Sequence, residues 1–339
     1  MKIVAVIGVR LAASGLAMWG VATAWLRPPM PSVDWPLWVA LGGALWLAPA
    51  GMGLLNHVFH DEPADVGRTD PVCLCLRALT NVGLVLAAGL PAGLGAGIAV
   101  LPWLAMTAVL AARASWWLCR HPGTPERWLV AAAATNLAVG ALWLAAERGG
   151  VRLLGYDSVT ERVTAAHFHY AGFFLPLTAA LLLRERPGAP VILRIGALGV
   201  LLGFPAVALG ILARRWGLPP EGEGVVAAAF ALAAGALGLF QMKIGWACRE
   251  KAAALLLNFG GAALAAGSLL ALLFALRPWI GAGTLTWPVM WACHGSLQAL
   301  GFAGPSVLGW RVRVREAMAF APRRRRHGAS HAVWLPAFH

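Results

Sequence analysis

The sequence predicts an all-α fold, a transmembrane bundle of about ten helices with both termini in the cytoplasm. Three observations carry that expectation. Of 339 residues, 60% are hydrophobic and only 12% charged, against roughly a quarter charged in soluble domains. No single water-soluble core hides so much apolar surface. The apolar residues are gathered into runs of the roughly 20 residues that a helix needs to cross a hydrocarbon core about 30 Å thick. The basic residues fall mainly between those runs, unevenly on alternate sides. Long runs without strand-like alternation point to helices rather than a barrel.

The first window is 3–26. Lys2 before an apolar run, with Ala22-Thr23-Ala24 near its end, imitates a signal peptide. The run is longer than a signal core and contains Arg10, so a retained first span is expected. Further windows follow at 36–58, 74–95, 97–118, 127–147, 159–183, 191–213, 224–246, 252–276 and 285–310. The third and fourth are separated only by Leu90-Pro91-Ala92-Gly93-Leu94-Gly95, where Pro and Gly permit a tight uncharged turn.

Charge sets the orientation. With the N-terminus inside, the inward segments hold 19 Lys and Arg and the outward segments seven, Arg10 lying inside the first window. The positive-inside rule then places both termini in the cytoplasm, which requires an even number of spans. Residues 1–310 read as one membrane domain and 311–339 as a basic cytoplasmic tail. In that tail Arg323, Arg324, Arg325 and Arg326 serve as a topology anchor beside anionic lipid headgroups. The net charge of +13 implies no nucleic-acid partner, because it resides in short connections and a tail rather than on a soluble basic domain. Membrane lipids are the expected surroundings.

Polar groups inside hydrocarbon are costly and usually face the bundle interior. The densest cluster is in the sixth window, Glu161-Arg162-Val163-Thr164-Ala165-Ala166-His167-Phe168-His169. At 100° per residue, His167 and His169 point about 200° apart, so one helix face does not present both to one ion. In the last window, His294 and Gln298 are i,i+4 and share a face. His167 and His294 both lie roughly 12–14 Å below the outer boundary. Matched depth on two helices is what a metal, haem or proton-relay site requires. A third group, His57, His60, Asp61 and Glu62, ends the second window and reads as a hydrated interfacial loop. Asn81, Asn136 and Asn258 read as interhelical hydrogen-bonding groups. The five cysteines, Cys73, Cys75, Cys119, Cys248 and Cys293, read as small residues within or beside helices. There is no H-E-x-x-H, G-x-S-x-G, Walker loop or C-x-x-C-H.

The segment from Arg162 to Phe173, RVTAAHFHYAGF, resembles the hallmark of the YndJ-like family of bacterial membrane proteins. The segment His294-Gly295-Ser296-Leu297-Gln298-Ala299-Leu300-Gly301-Phe302, followed by Gly309-Trp310, is similar to that family's second hallmark. Gln298 stands where the family usually has Asn; the longer amide donates and accepts the same bonds with a different reach. The resemblance implies a polytopic protein of the bacterial inner (plasma) membrane, without implying a reaction.

Several functions stay open at this point. A transporter or permease for a small solute or ion would use His167, His169 and His294 as ligand or proton-relay groups, supported by Glu161, Arg162, Thr164 and Gln298. A redox or metal protein would hold haem or a divalent metal between His167 or His169 and His294, with His167 and His294 the leading metal ligands. An intramembrane enzyme acting on a lipid or isoprenoid would use a histidine as general acid or base. A structural or assembly factor would need the histidines only as buried hydrogen-bonding groups.

Overall fold

The computed structural model describes residues 14–23, 34–59, 71–186, 188–281 and 285–320. All regular structure among them is helical. Helix α1 covers 14–23. Helix α2 runs through Trp35–Gly42, a π-helical stretch Gly43–Leu47 and Ala48–Phe59. Helices α3, α4 and α5 are Pro71–Gly89, Leu94–Arg120 and Pro125–Gly149. Helix α6 joins Ser158–His169, a π stretch Tyr170–Phe174 and Leu175–Glu185. Helices α7, α8 and α9 are Val191–Arg215, Pro220–Trp246 and Lys251–Ile280. Helix α10 opens with Trp287–Val289, passes through π stretches Met290–Gly295 and Leu297–Ala303, and continues as Gly304–Phe320.

Among the described residues, 7 helices are long and apolar enough to cross a membrane: Trp35–Leu55 of α2, and α4 to α9. Helix α3 offers the shorter apolar stretch Cys75–Gly89. Most of the first window, His60 to Glu62 and Arg323 to Arg326 lie outside the described residues, as does the Cys73 side chain.

Burial sorts the helices into a centre and a rim. The apolar windows of α2, α6 and α5 are 83%, 78% and 67% buried, whereas those of α4 and α7 are each 22% buried. Rim side chains such as Leu94, Val191, Leu209 and Leu232 therefore present apolar surface outward, as lipid solvation requires.

The breaks follow local chemistry. Leu90 and Pro91 end α3, and Gly93 at φ 156° turns the chain into α4, a conformation that glycine adopts without steric cost. The Gly93 N–H donates to the Arg148 carbonyl at 2.7 Å, and the Arg148 guanidinium returns to the Leu90 carbonyl. The turn is thus fixed to the end of α5. Helices α8 and α9 cross closely where a Cβ on Gly261 would stand 2.6 Å from the Gly238 carbonyl oxygen. Small residues at such crossings let helix backbones approach in lipid.

A buried polar lock holds the last three helices together near the turn from α8 into α9. Gln241 donates to the Leu257 carbonyl at 3.1 Å and to Ser306 Oγ at 2.8 Å, while Trp310 Nε1 donates to Gln241 Oε1 at 3.2 Å. Helix α10 continues beyond residue 310, where Arg313 pairs with Glu185 at 3.1 Å and with Glu316 at 3.3 Å. Asn136 of α5 donates to the Gly172 carbonyl of α6 at 2.9 Å. Asn258, by contrast, bonds within its own helix, to Ala254.

Helix α6 begins with a cap. Asp157 accepts from the Thr160 N–H and from the Thr160 hydroxyl, each at 2.9 Å. The backbone donor holds the Asp157 carboxyl below its ordinary range. A carboxylate with a depressed folded-state pKa contributes stability that is present above its unfolded value and lost as pH falls through the folded one. Asp157→Ala is expected to cost about 1 kcal/mol at neutral pH, read as a lower apparent melting temperature. The gap from the parent protein should close on acidification below about pH 4. A gap that persists in acid would contradict the cap.

Candidate functional site

Helices α2, α6, α7, α8, α9 and α10 enclose a cavity of about 240 Å³. One end lies among Leu264 and Phe302 at mid-depth. The other reaches Arg214, Glu223 and Arg277, at the helix ends where α7 turns into α8 and α9 finishes. The walls between are mainly aromatic and aliphatic, including Phe204, Phe230, Phe274 and Trp291.

His167 and His294 meet in this cavity. Their rings are 6.3 Å apart between centroids and inclined by 23°, a stacked pair contributed by α6 and α10. His294 Nδ1 lies 2.8 Å from the Gly267 carbonyl of α9. A carbonyl only accepts, so that nitrogen carries the proton and Nε2 of His294 keeps its lone pair. Gly267 makes this approach possible: a Cβ there would stand 2.5 Å from Gln298 Nε2. Gln298 lies over the same glycine one helical turn beyond His294, and both line the cavity.

His167 lines the cavity and has no hydrogen-bond partner among the described residues. Two further polar atoms on the wall, Ser268 Oγ and Trp291 Nε1, are buried and unpartnered there. Buried polar groups nearly always find partners, so the two orphaned atoms on the lining that also carries His167 mark a place built to hydrogen-bond something. Both histidine-bearing helices carry π stretches close to these residues, Tyr170–Phe174 on α6 and Met290–Gly295 with Leu297–Ala303 on α10. Such stretches are frequent at functional sites.

His169 does not join the pair. It is fully buried on the opposite face of α6, where Trp103 Nε1 lies 3.1 Å from its Nε2 and the Ala165 carbonyl 2.8 Å from its Nδ1. An indole nitrogen only donates, so His169 Nε2 accepts and Nδ1 carries the proton. The Trp103 and His169 rings also stack, with centroids 5.9 Å apart. Both nitrogens are engaged, and the residue ties α6 to α4.

Glu161, Arg162 and Thr164 also stand apart from the cavity. Glu161 is fully buried, accepting from Arg152 at 3.1 Å and from the Leu153 N–H at 2.8 Å. Arg162 bridges Glu147 and Asp34, each at 2.8 Å, joining α6 to α5 and the start of α2. Thr164 donates to the Thr160 carbonyl of its own helix at 2.7 Å. The chain places Glu161 and Arg162 at the α5–α6 connection, where they organise its ion pairs, and Thr164 bonds back into its own helix.

Among the described residues, no group of three or more His, Cys, Asp and Glu is placed to hold a metal ion. The His167–His294 pair thus offers two imidazoles without a third such ligand among them. His57 lies in the last turn of α2, away from the pair.

Sequence reasoning passed over Arg214, Glu223, Arg277 and Ser268. The first and third entered only as topology charges. Asking which boundary charges on consecutive helices share a depth would have grouped Arg214, Glu223 and Arg277.

The two sixth-window histidines should therefore respond differently to truncation. His169→Ala orphans the buried Trp103 N–H, at about 1–3 kcal/mol, and should lower the apparent melting temperature. His167→Ala should leave it nearly unchanged. Fluorescence-detected size exclusion after graded heating checks this, and equal losses would contradict the division.

The model of the family described as YndJ-like protein matches residues 38–302. No curated protein matches the chain, and no solved structure does.

Proposed function

The chain belongs to the YndJ-like family, and from that premise we propose that it is a permease-like carrier of a small solute, with the cavity as its binding site. The observation that carries this reading is the pairing of His167 with His294 on the cavity wall, 6.3 Å apart, beside the unpartnered Ser268 hydroxyl. A solute bearing a hydrogen-bonding group would bind there, with Gln298 beside it and the aromatic walls around its body.

The distribution of packing supports a carrier. Beyond Leu264 and Phe302 the inner half is filled by buried Leu237, Val307 and Trp310 and by the Gln241 lock. An arrangement with a cavity in one half and close packing in the other is one state of an alternating-access cycle. The glycine crossing of α8 and α9 is a surface on which such packing can slide.

In this reading the bundle has ten spans with both termini in the cytoplasm of a bacterium, and the cavity mouth faces away from it. The division of basic residues, 19 inward and seven outward, supports that orientation. Placement in a bacterial inner membrane is part of the proposal. Attraction of Arg323 to Arg326 to anionic lipid headgroups is part of the same proposal.

Thiol accessibility tests the carrier without knowledge of its solute. In a cysteine-free background, Ser268→Cys is reconstituted in vesicles of defined orientation and exposed to a membrane-impermeant maleimide. Labelling should be rapid from the mouth side and slow, yet measurable, from the opposite side. Labelling from the mouth side alone, at every temperature, would contradict alternating access. A Soret band or one equivalent of metal, lost in both His167→Ala and His294→Ala, would instead favour the redox reading.

A further inference from the structure

The cavity has two polar ends of different character. At the mouth, Arg214 and Glu223 pair at 3.4 Å. Arg277 lies 3.7 Å above the Phe274 ring and donates to the Phe274 carbonyl at 2.7 Å. Two guanidiniums against one carboxylate leave this end positive. The neighbouring Arg215 is committed elsewhere, to the Gly155 carbonyl at 3.2 Å and the Tyr156 ring at 4.5 Å.

The floor is uncharged in composition and rich in hydrogen-bonding groups: His167, the free Nε2 of His294, Ser268 and Gln298. Ser268 is 4% exposed and its hydroxyl has no partner among the described residues. Between the two ends the walls are apolar. Helix α9 gives the spacing. Gly267, which holds His294, is ten residues from Arg277, or about 15 Å along the helix. That is about half the roughly 30 Å thickness of a hydrocarbon core.

We propose that the cavity takes an elongated amphiphile with two polar ends. An anionic head, carboxylate or phosphate, lies against Arg214 and Arg277. An apolar body follows the aromatic walls, and a neutral oxygen function, hydroxyl or carbonyl, meets His167, His294 and Ser268. Arginine suits such a head because its planar fork matches carboxylate and phosphate oxygens. The far end needs an oxygen because a plain hydrocarbon terminus would leave the floor's polar groups unpaired. This inference rests on the cavity being the carrier's binding site.

The test uses the full chain in phosphatidylcholine nanodiscs with tritiated 12-hydroxydodecanoate. Dodecanoate, 1,12-dodecanediol and 12-hydroxydodecyl phosphate are the competitors. Saturable binding is expected, lost in Ala227→Trp, which fills the cavity. Dodecanoate, which lacks the distal hydroxyl, and the diol, which lacks the anionic head, should each compete about tenfold more weakly than the unlabelled hydroxy acid. The phosphate should compete at least as well as the diol, and its rank against the hydroxy acid identifies the head. Arg214→Gln with Arg277→Gln should weaken the hydroxy acid about tenfold and leave the diol unchanged, while the corresponding Lys pair recovers much of the loss. His167→Ala should weaken the hydroxy acid and leave dodecanoate unchanged. Saturable binding that Ala227→Trp abolishes, with all competitors equal, would overturn the two-ended ligand while the site itself stands. Binding that does not saturate and is the same in Ala227→Trp would overturn the binding-site reading beneath it.

Discussion

Inside hydrocarbon a polar atom without a partner costs several kcal/mol, and that constraint sorts the polar residues of this chain into two kinds. His169 has both nitrogens satisfied, by Trp103 and by Ala165. Gln241 satisfies its amide with Leu257, Ser306 and Trp310. These groups hold helices together, and their bonds leave no capacity for a ligand. His167, Ser268 Oγ and the Nε2 of His294 are of the other kind. They lie together on the lining of one cavity, whereas other buried atoms without partners among the described residues, such as Thr80 Oγ1 and Asn258 Oδ1, lie outside it.

The same division runs along the membrane normal. The half away from the cavity mouth is closed by Trp310, Val307 and the Gln241 lock, and beyond it by the Arg313–Glu185 pair at 3.1 Å. On the mouth side, the α5–α6 connection is tied by Arg162 to Glu147 and Asp34. Between the two lie the π stretches of α6 and α10 and the glycine contacts at Gly267 and Gly261. The interrupted helix hydrogen bonding thus lies between the two fastened ends, where the proposed carrier would need to move.

Much of this architecture was legible in the sequence. Each hydropathy window contains helix among the described residues, and the Pro91–Gly93 turn falls where its composition placed it. The 200° separation of His167 and His169 also separates their surroundings, one facing a cavity and the other Trp103. Depth alone matched His167 with His294. Depth does not say which helices are neighbours, and the carbonyl that holds His294 belongs to Gly267 of α9, a residue with no polar signal of its own. Glu161, Arg162 and Thr164 were grouped with the histidines because they are adjacent in sequence. A helix carries adjacent residues to different faces; Glu161 and Arg162 sit more than a turn nearer the boundary, where other elements offer partners, and Thr164 bonds back to Thr160. The cavity mouth was invisible for a related reason. Arg277 is far in sequence from Arg214 and Glu223, and each is an ordinary boundary charge alone.

The account depends most on the meeting of His167 and His294 with a fixed tautomer on the latter. Solid-state NMR of histidine-labelled protein in lipid measures both. A through-space cross-peak between the His167 and His294 imidazoles is expected, absent between His167 and His169, with the nitrogen shifts of His294 showing a protonated Nδ1 and a bare Nε2. No cross-peak between the pair, or a His294 protonated only at Nε2, would contradict the site on which the proposed function rests.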